Sequence, residues 1–384
     1  MLVVYHNRAG ETAGWIRHSV TKARTAADGG RQPTATTLAD ALGIQNGSRH
    51  YYRFRDLHSG QHYLRSGAEL FDQGLFLQLG GYQYQVFVDF AELVDEDGLW
   101  GQLCQQLGGR PVADLDRELK RLRLAPLLLA FDQLLQLPAL SELPRRLAAG
   151  DIPAASDDPA LAQLCQVLDN FALQLQLVAT PHQQSGKLTR SLSKNLARDL
   201  KSLGKLLQLP ATASKQESRA ALVQAMSGTL NRVLPAYLLL HRLGDLQAEE
   251  GSPARTAAWL DDYLLREPLE QLVAGDQQLL LIALIRQQGL LPGQESRAAL
   301  FDDPTVRACL HVHDYQDRQW LCGERLAELT FGLFVVAALN VTGREDETEG
   351  EVDRQLECLW QQAQQLLAAG EQAGYRLDRL RALL

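Results

Sequence analysis

The chain has 384 residues, of which 46% are hydrophobic, and this length is sufficient for two or three domains. Its formal net charge of −8 disfavours a nucleic-acid binder, because such proteins usually carry a basic face. The five cysteines are widely spaced and include no C-x-x-C pair. We therefore expect neither a disulfide framework nor a structural zinc site, and we expect a cytoplasmic protein.

Strand patterns fill the first part of the chain, which starts inside a predicted strand at residues 1–5 with no lead-in. Residues 26–37 are predicted to form a polar loop. Residues 51–57 and 61–65 are predicted to form a hairpin around His58-Ser59-Gly60.

A second hairpin is predicted where Gly80-Gly81 separates two segments with alternating apolar residues. Glycine reaches the positive φ of a two-residue hairpin turn without steric cost, so the pair should join two neighbouring strands. Apolar residues at every second position indicate half-buried strands. The first segment contains Leu75, Leu77 and Leu79; in the second, Tyr82, Tyr84, Val86, Val88 and Phe90 alternate with Gln83, Gln85 and Asp89.

From about residue 113 the chain is predicted to be helical. Apolar stripes at helical spacing run from Leu161 to Val178 and from Leu188 to Leu207. The apolar run from Leu326 to Leu339 is shorter than the roughly 18–20 residues of a membrane span, so we expect a buried core helix and no membrane association. Helix starts, each a capping side chain followed by proline, are predicted at Asp158-Pro159, Ser252-Pro253 and Asp303-Pro304.

The group His311-x-His313-Asp314 could place metal ligands near one another. A metal site needs three or four converging ligands, and residues two apart on a helix point in different directions. We favour a helix boundary capped by Asp314, and we predict no metal and no cofactor.

Two charged segments are candidates for binding. The basic residues of Lys187–Lys205 could meet a phosphate or an anionic lipid surface, but a solvated face of a core helix is the favoured interpretation. The acidic residues of Glu345–Glu351 are predicted to be exposed. Asp95-Glu96-Asp97 could suggest the paired carboxylates of a glycosidase, but a turn before Gly98 explains them more simply.

No nucleophile-elbow, phosphate-loop, zinc-protease or dinucleotide-binding motif is present in the sequence. We therefore predict no catalytic residue. Trp15 and Trp100 are candidates for stacking on sugar rings, although aromatic side chains of sheets more often pack in the core.

Several runs of residues in the β region form a pattern that occurs in a known family. They are Leu2–Arg8, Glu11-Thr12, Gly14–Arg17, Arg53–Asp56, Tyr63–Arg65, Glu69-Leu70, Gly74–Leu77 and Leu79–Phe87. This pattern resembles the region that follows the barrel in large α-amylase-like proteins of the glycoside hydrolase family 13 superfamily.

The helical region is similar to the C-terminal extension of such proteins. The matching residues are Val312, Tyr315, Trp320 and Glu324, whereas His313, Cys322 and Gly323 stand where that pattern has Asn, Asn and Lys. The chain therefore resembles a divergent member of the group.

The resemblance implies a fold and a role. In that superfamily a β-sandwich called domain C follows the catalytic (β/α)8 barrel, packs against it and sometimes offers a surface sugar site. The catalytic carboxylates of the family lie on barrel strands, so none of them can be assigned to a residue of this chain.

We predict an α+β chain, with an N-terminal antiparallel β-sandwich at residues 1–112 and an irregular helical domain at 113–384, subdivided near 210–250. Its expected role is that of the non-catalytic C-terminal part of an α-amylase-like glycoside hydrolase. The expected partner is a catalytic barrel absent from this chain, and the expected ligand is an α-glucan. The alternative is a free-standing interaction module whose helical domain binds a protein partner.

Overall fold

The computed structural model describes residues 1–25, 31–149, 158–180, 191–208, 216–228, 230–247, 253–288, 298–342 and 349–384. The chain divides into two compact units, Met1–Ala125 and Pro126–Leu384. Antiparallel strands dominate the first unit and helices dominate the second, so the predicted α+β class is confirmed. In the described ranges, no helix is long and apolar enough to cross a membrane.

The first unit is built on a four-stranded antiparallel sheet with the order β1-β8-β5-β6, and β2–β7 and β3–β4 form separate two-stranded ribbons. In chain order its elements are β1 (Leu2–Tyr5), β2 (Thr12–Ile16), β3 (Lys22–Thr25), β4 (Arg31–Thr34), α1 (Leu38–Leu42), β5 (His50–Asp56), β6 (His62–Ser66), α2 (Gly67–Asp72), β7 (Leu75–Leu79), β8 (Tyr84–Val94), α3 (Leu99–Leu107) and α4 (Leu115–Arg123).

Strand β4 lies inside the segment that was predicted to be a polar loop. The prediction is wrong for residues 31–34, which pair with β3, and residues 26–30 lie outside the described part of the chain. A ladder of backbone hydrogen bonds needs no apolar alternation, so the polar side chains gave no sign of this ribbon.

One of the two predicted hairpins forms. Strands β5 and β6 pair around His58-Ser59-Gly60, and Gly60 has the positive φ that such a turn requires. The hairpin at Gly80-Gly81 is wrong, because β7 pairs with β2 and β8 pairs with β1 and β5. Leu75 and Leu77 of β7 pack with Phe54 and Phe87 of the large sheet, so β7 buries its leucines against a face of that sheet.

A β-bulge changes which side of β8 meets the core. At this point Phe54 of β5 stands opposite two residues, Asp89 and Phe90, and Asp89 has a φ of +58°. Phe87 before the bulge is fully buried, and Phe90 after it packs against the same cluster. The strand is confirmed, but its alternating residues do not share one face, and Tyr84 at its start is exposed.

Helices α3 and α4 complete the first unit by packing their leucines with Leu64 of β6. The turn predicted at Asp95-Glu96-Asp97 is confirmed as a bend before α3. The buried carboxylate of Asp95 accepts hydrogen bonds from the backbone N–H groups of Trp100 and Gly101, so it caps the first turn of that helix.

Where the structure describes it, the second unit is helical apart from one short hairpin. Its described elements are α5 (Ala125–Leu135), α6 (Pro138–Ala149), α7 (Pro159–Ala179), α8 (Leu192–Gln208), α9 (Gln216–Ser227), α10 (Leu230–Leu240), a 3-10 helix (Leu243–Leu246), α11 (Pro253–Asp262), α12 (Arg266–Leu269), α13 (Asp276–Gln287), α14 (Pro304–Cys309), β9 (His313–Tyr315), β10 (Arg318–Trp320), α15 (Gly323–Thr342), α16 (Glu349–Gln372) and α17 (Leu377–Leu383).

The predicted helix signals hold where the structure describes them. Asp158 caps α7 and Asp303 caps α14, each followed by proline, whereas Ser252 lies outside the described residues. The apolar run within α15 is a buried core helix, as predicted. The buried stripe residues are Leu161, Leu164, Leu168, Phe171 and Leu175 of α7 and Leu192, Leu196, Leu200 and Leu203 of α8.

Candidate functional site

The histidine group of the second unit does not form the predicted helix boundary. Asp314 lies in β9 rather than at a helix start, because the chain turns at His311, where φ is +51°, and enters the β9–β10 hairpin. The Nε2 atom of His311 lies 2.9 Å from Oδ1 of Asp276, and Nδ1 of His313 lies 3.0 Å from the carbonyl oxygen of His311. Across the described residues, no group of three or more His, Cys, Asp or Glu side chains could hold a metal.

The basic helix presents a solvated face, as predicted. The basic residues that α8 contributes are all exposed, and its leucines are buried apart from Leu207, which is partly buried. They are Lys194, Arg198, Lys201 and Lys205. Lys187, Arg190 and residues 345–348 of the acidic segment lie outside the described part of the chain.

The two candidate tryptophans lie in different settings within the first unit. Trp15 on β2 stands opposite Phe76 on β7, with ring centroids 5.5 Å apart and both side chains nearly half exposed. Trp100 lies in the first turn of α3 and packs against the leucines of α3 and α4. The structure does not bring the two indoles into one site, and a sugar-binding role for either residue stays a prediction.

A cleft of about 380 Å³ opens where the turn between β7 and β8 faces the β5–β6 turn. This volume lies within the range of small-ligand sites. The residues that line the cleft are Asp56, His58, Gln78, Leu79, Tyr82, Gln83, Tyr84 and Gln85. Sequence reasoning missed this group because its residues come from three strands, β5, β7 and β8, and from the two turns beside them.

Hydrogen bonds fix the turn that forms one wall of the cleft. The Gln83 side-chain carbonyl accepts from Gly80 N–H at 2.7 Å, and the Gln83 N–H donates to the carbonyl oxygen of Gly80 at 3.2 Å. The N–H of Tyr82 donates to the carbonyl oxygen of Arg8, and the N–H of His6 donates to that of Gln83. Tyr82 is thereby held with a φ of +57°, an uncommon conformation for a bulky residue.

Two tyrosines of the cleft are exposed although they belong to a predicted half-buried pattern. Tyr82 is 74% exposed and Tyr84 is 65% exposed, whereas aromatic rings of sheets usually pack in a core. The sequence gives no sign of this exposure, because tyrosines that alternate with Gln83 and Gln85 form the pattern of a half-buried strand whose tyrosines face the core.

The one carboxylate of the cleft is committed to its own turn. Burial alone would raise the pKa of Asp56, but hydrogen bonds from the Ser59 hydroxyl, at 2.6 Å, and from the backbone N–H groups of Ser59 and His58 lower it. By contrast, Oε1 of Gln85 is buried without a hydrogen-bond partner among the described residues. The cleft therefore offers an unsatisfied acceptor and no free negative charge.

Comparisons with known proteins identify no relative. No protein-family model matches this chain, and no curated protein or solved structure matches it.

Proposed function

We propose that this chain is the non-catalytic C-terminal part of an α-amylase-like glycoside hydrolase acting on α-glucans, and that its first unit docks on the catalytic barrel. The observation that carries the proposal is the exposure of large apolar side chains on this unit: Trp15 and Phe76 lie side by side on the β2–β7 ribbon, and Val3 and Tyr5 lie on the edge strand β1. Exposed apolar side chains that lie next to one another often mark an interaction site.

The edge of the sheet supports the same proposal. Strand β1 is an edge strand that pairs only with β8 among the described strands. At the opposite edge β6 is bridged by Val112, whose N–H and carbonyl exchange hydrogen bonds of 2.9 and 2.7 Å with His62. An uncovered edge with apolar side chains readily pairs with a partner.

The packing of the first unit supports its assignment to domain C. The β2–β7 ribbon covers the four-stranded sheet through the leucines of β7, which gives two layers of strands around an apolar cluster. We propose that these layers are the predicted β-sandwich. The free cysteines of the described chain agree with a reducing, cytoplasmic setting.

Co-purification with a barrel chain tests the proposal. The coding DNA that adjoins this chain should encode a (β/α)8 barrel, and the two products should sediment together as a complex. Trp15→Ser combined with Phe76→Ser should weaken the complex, whereas Leu129→Ser, at an exposed leucine of α5, should not. A clean monomer that ignores the co-expressed barrel would contradict the proposal.

A pocket in the second unit favours a second candidate function, that of a protein-interaction module. It has a volume of about 220 Å³ and is lined mainly by apolar groups, including Ala225, Leu230 and Phe331. A pocket of this size could take an apolar side chain of a partner. This candidate predicts that partner binding protects α9 and α15 from hydrogen exchange.

A further inference from the structure

We propose that the exposed face of α8 in the second unit binds an acidic helix of a protein partner. Four basic residues form this face, and we call them the cationic ridge: Lys194, Arg198, Lys201 and Lys205. The ridge belongs to a different unit from the surface proposed to dock on the barrel, so its binding is independent of that docking.

The four cations of the ridge share one side of the helix. They are spaced four, three and four residues apart, which places them within about 60° around the helix axis and along about 16 Å of its length. All four residues are exposed. On the opposite side, the leucine stripe from Leu192 to Leu203 is buried where α8 packs against α7, α10 and α15. The ridge is therefore open to a partner over about three turns.

The ridge has little counter-charge among the described residues. Three of its members make no ion pair there, namely Lys194, Lys201 and Lys205. The one acidic residue of α8, Asp199, lies 3.8 Å from Nε of Arg198, but its carboxylate is mostly buried and its other oxygen lies 3.3 Å from Nε2 of His241. The charge of the ridge is thus left for a partner to neutralise.

This arrangement weakens a helix that faces only water. Like charges three and four residues apart repel one another, and Lys194 adds a positive charge to the first turn, where the helix dipole disfavours it. Solvated helix faces usually mix both signs of charge. A face of one sign is complementary to a partner that supplies the opposite charge.

The residue type of the ridge favours carboxylates as its ligands. Of the 38 basic residues in the chain only seven are lysine, and five of these seven lie between residues 187 and 215. Arginine is the better residue for bidentate recognition of phosphate, whereas lysine is a strongly hydrated point charge on a flexible stem. The lysines therefore suit the solvated carboxylates of an acidic segment better than the phosphates of a nucleic acid.

The shape of the ridge favours a helix over a membrane. An amphipathic helix binds a bilayer by inserting its apolar face, and the apolar face of α8 is buried within the protein. A planar anionic surface would also meet the rest of a chain with a formal net charge of −8, whereas a narrow helix within a Debye length of about 8–10 Å meets the ridge alone. A partner helix with carboxylates four, three and four residues apart matches the ridge charge for charge.

Fluorescence anisotropy of labelled peptides, titrated with the full chain, tests the proposal. The probe is an alanine-based helical peptide with four glutamates spaced four, three and four residues apart. A second peptide of the same composition distributes its glutamates around the helix. We expect the first peptide to bind with a dissociation constant below about 1 mM at low salt, and about fivefold more tightly than the second. Raising the salt from about 20 to about 200 mM should weaken its binding by about tenfold.

Charge reversal separates the ridge from the overall charge of the chain. Lys201→Glu should weaken binding of the first peptide by about tenfold. Lys120→Glu, at an exposed lysine of α4, changes the net charge equally and should leave binding unchanged. The new glutamate precedes Lys205 by four residues, a favourable pair, so the urea midpoint of Lys201→Glu should not fall below that of the wild type. If this variant fails to fold, Lys205→Gln replaces it and should weaken binding by about threefold.

Several outcomes would overturn the inference. They are no binding of the first peptide, equal binding of the two peptides, and equal weakening by Lys201→Glu and Lys120→Glu. Binding to phosphatidylserine vesicles in place of the peptide, lost in Lys201→Glu, would assign the ridge to a lipid surface instead. Self-association lost in the same variant would assign it to a second copy of the chain. Because the barrel is absent from these titrations, failure of the proposed function would leave their results unchanged.

Discussion

The two units of this chain place their apolar residues differently. In the helical unit the stripes of α7 and α8 are buried, and exposed apolar residues such as Leu129 and Leu177 lie singly on different helices. In the first unit exposed aromatic residues occur in groups, as the Trp15–Phe76 pair and the tyrosines of the cleft show. Aromatic side chains that the sequence pattern predicts to be buried, but that the structure exposes in groups, indicate a binding surface.

The largest effect is expected in the core of the first unit. Phe54 is 1% exposed and has the rings of Tyr63, Phe87 and Phe90 within 4.7–5.4 Å, so Phe54→Ala should cost about 3–5 kcal/mol of unfolding free energy. Phe76→Ala at the exposed pair should cost less than about 1 kcal/mol. Urea denaturation of both variants checks this contrast. A comparable loss in both variants would show that Phe76 contributes to the core and would contradict its assignment to a binding surface.

In the helical unit, we expect a smaller loss of stability when the residue that caps the N-terminus of α14 is replaced. The carboxylate of Asp303 accepts a hydrogen bond from the Thr305 N–H at 2.7 Å and pairs with Arg286 at 2.7 Å. Asp303→Ala should therefore cost about 1–2 kcal/mol, measured by urea denaturation at pH 7. Asp303→Asn keeps a capping acceptor and should lose less, because the helix N–H groups remain bonded. Equal losses in the two variants would place the whole effect in the ion pair.

The same residue predicts a dependence of stability on pH. Burial alone would raise the pKa of Asp303, but the hydrogen bonds from Arg286 and Thr305 and the charge of Arg286 lower it in the folded protein. Its contribution is therefore complete above the unfolded pKa of about 4 and is lost as the pH falls through the lower folded value. Between pH 7 and pH 2, the unfolding free energy of Asp303→Asn should fall less than that of the wild type. An identical pH dependence of the two proteins would contradict the ion pair between Asp303 and Arg286.

The sequence predicted the helical unit better than the β unit for a physical reason. A helix buries a stripe defined by residues three and four apart, so Leu161 to Leu175 could be assigned from one short segment. Strand pairing joins residues far apart in the chain, and nothing near Gly80-Gly81 indicates that β7 pairs with Thr12–Ile16.

The cleft could not be predicted for a related reason. The bulge at Asp89 changes which residues of β8 point toward the core. No residue before the bulge indicates that Phe87, rather than Tyr84, will be buried. Asp56 and Gln85 line the same cleft only because the strand register places Asp56 opposite Phe87. Trp15 and Trp100 were chosen by residue type alone, and residue type does not specify which aromatic rings share a surface.

A smaller effect is expected from the buried amide of the cleft. Gln85→Met removes the unpaired Oε1 acceptor at nearly constant side-chain length, so the protein should gain about 1 kcal/mol of stability. Gln78→Met, at an exposed glutamine of the same cleft, should change stability by less than about 0.5 kcal/mol. Thermal unfolding followed by circular dichroism compares the two. A loss of stability in Gln85→Met would show that its amide makes a structural contact.

The smallest effect concerns the backbone of Tyr82. Because this residue has a positive φ that Asn tolerates better, Tyr82→Asn should gain about 0.5 kcal/mol in unfolding free energy. Urea denaturation of the variant and the wild type measures this gain. A destabilised variant would indicate that the Tyr82 ring supports the turn.

Hydrogen exchange of the chain, with and without the barrel chain encoded beside it, tests the proposed function most directly. We expect the barrel to protect peptides from β1, β2 and β7, where the exposed apolar residues lie, and to leave α9 and α15 unchanged. Protection confined to α9 and α15, or no protection anywhere in the chain, would contradict it.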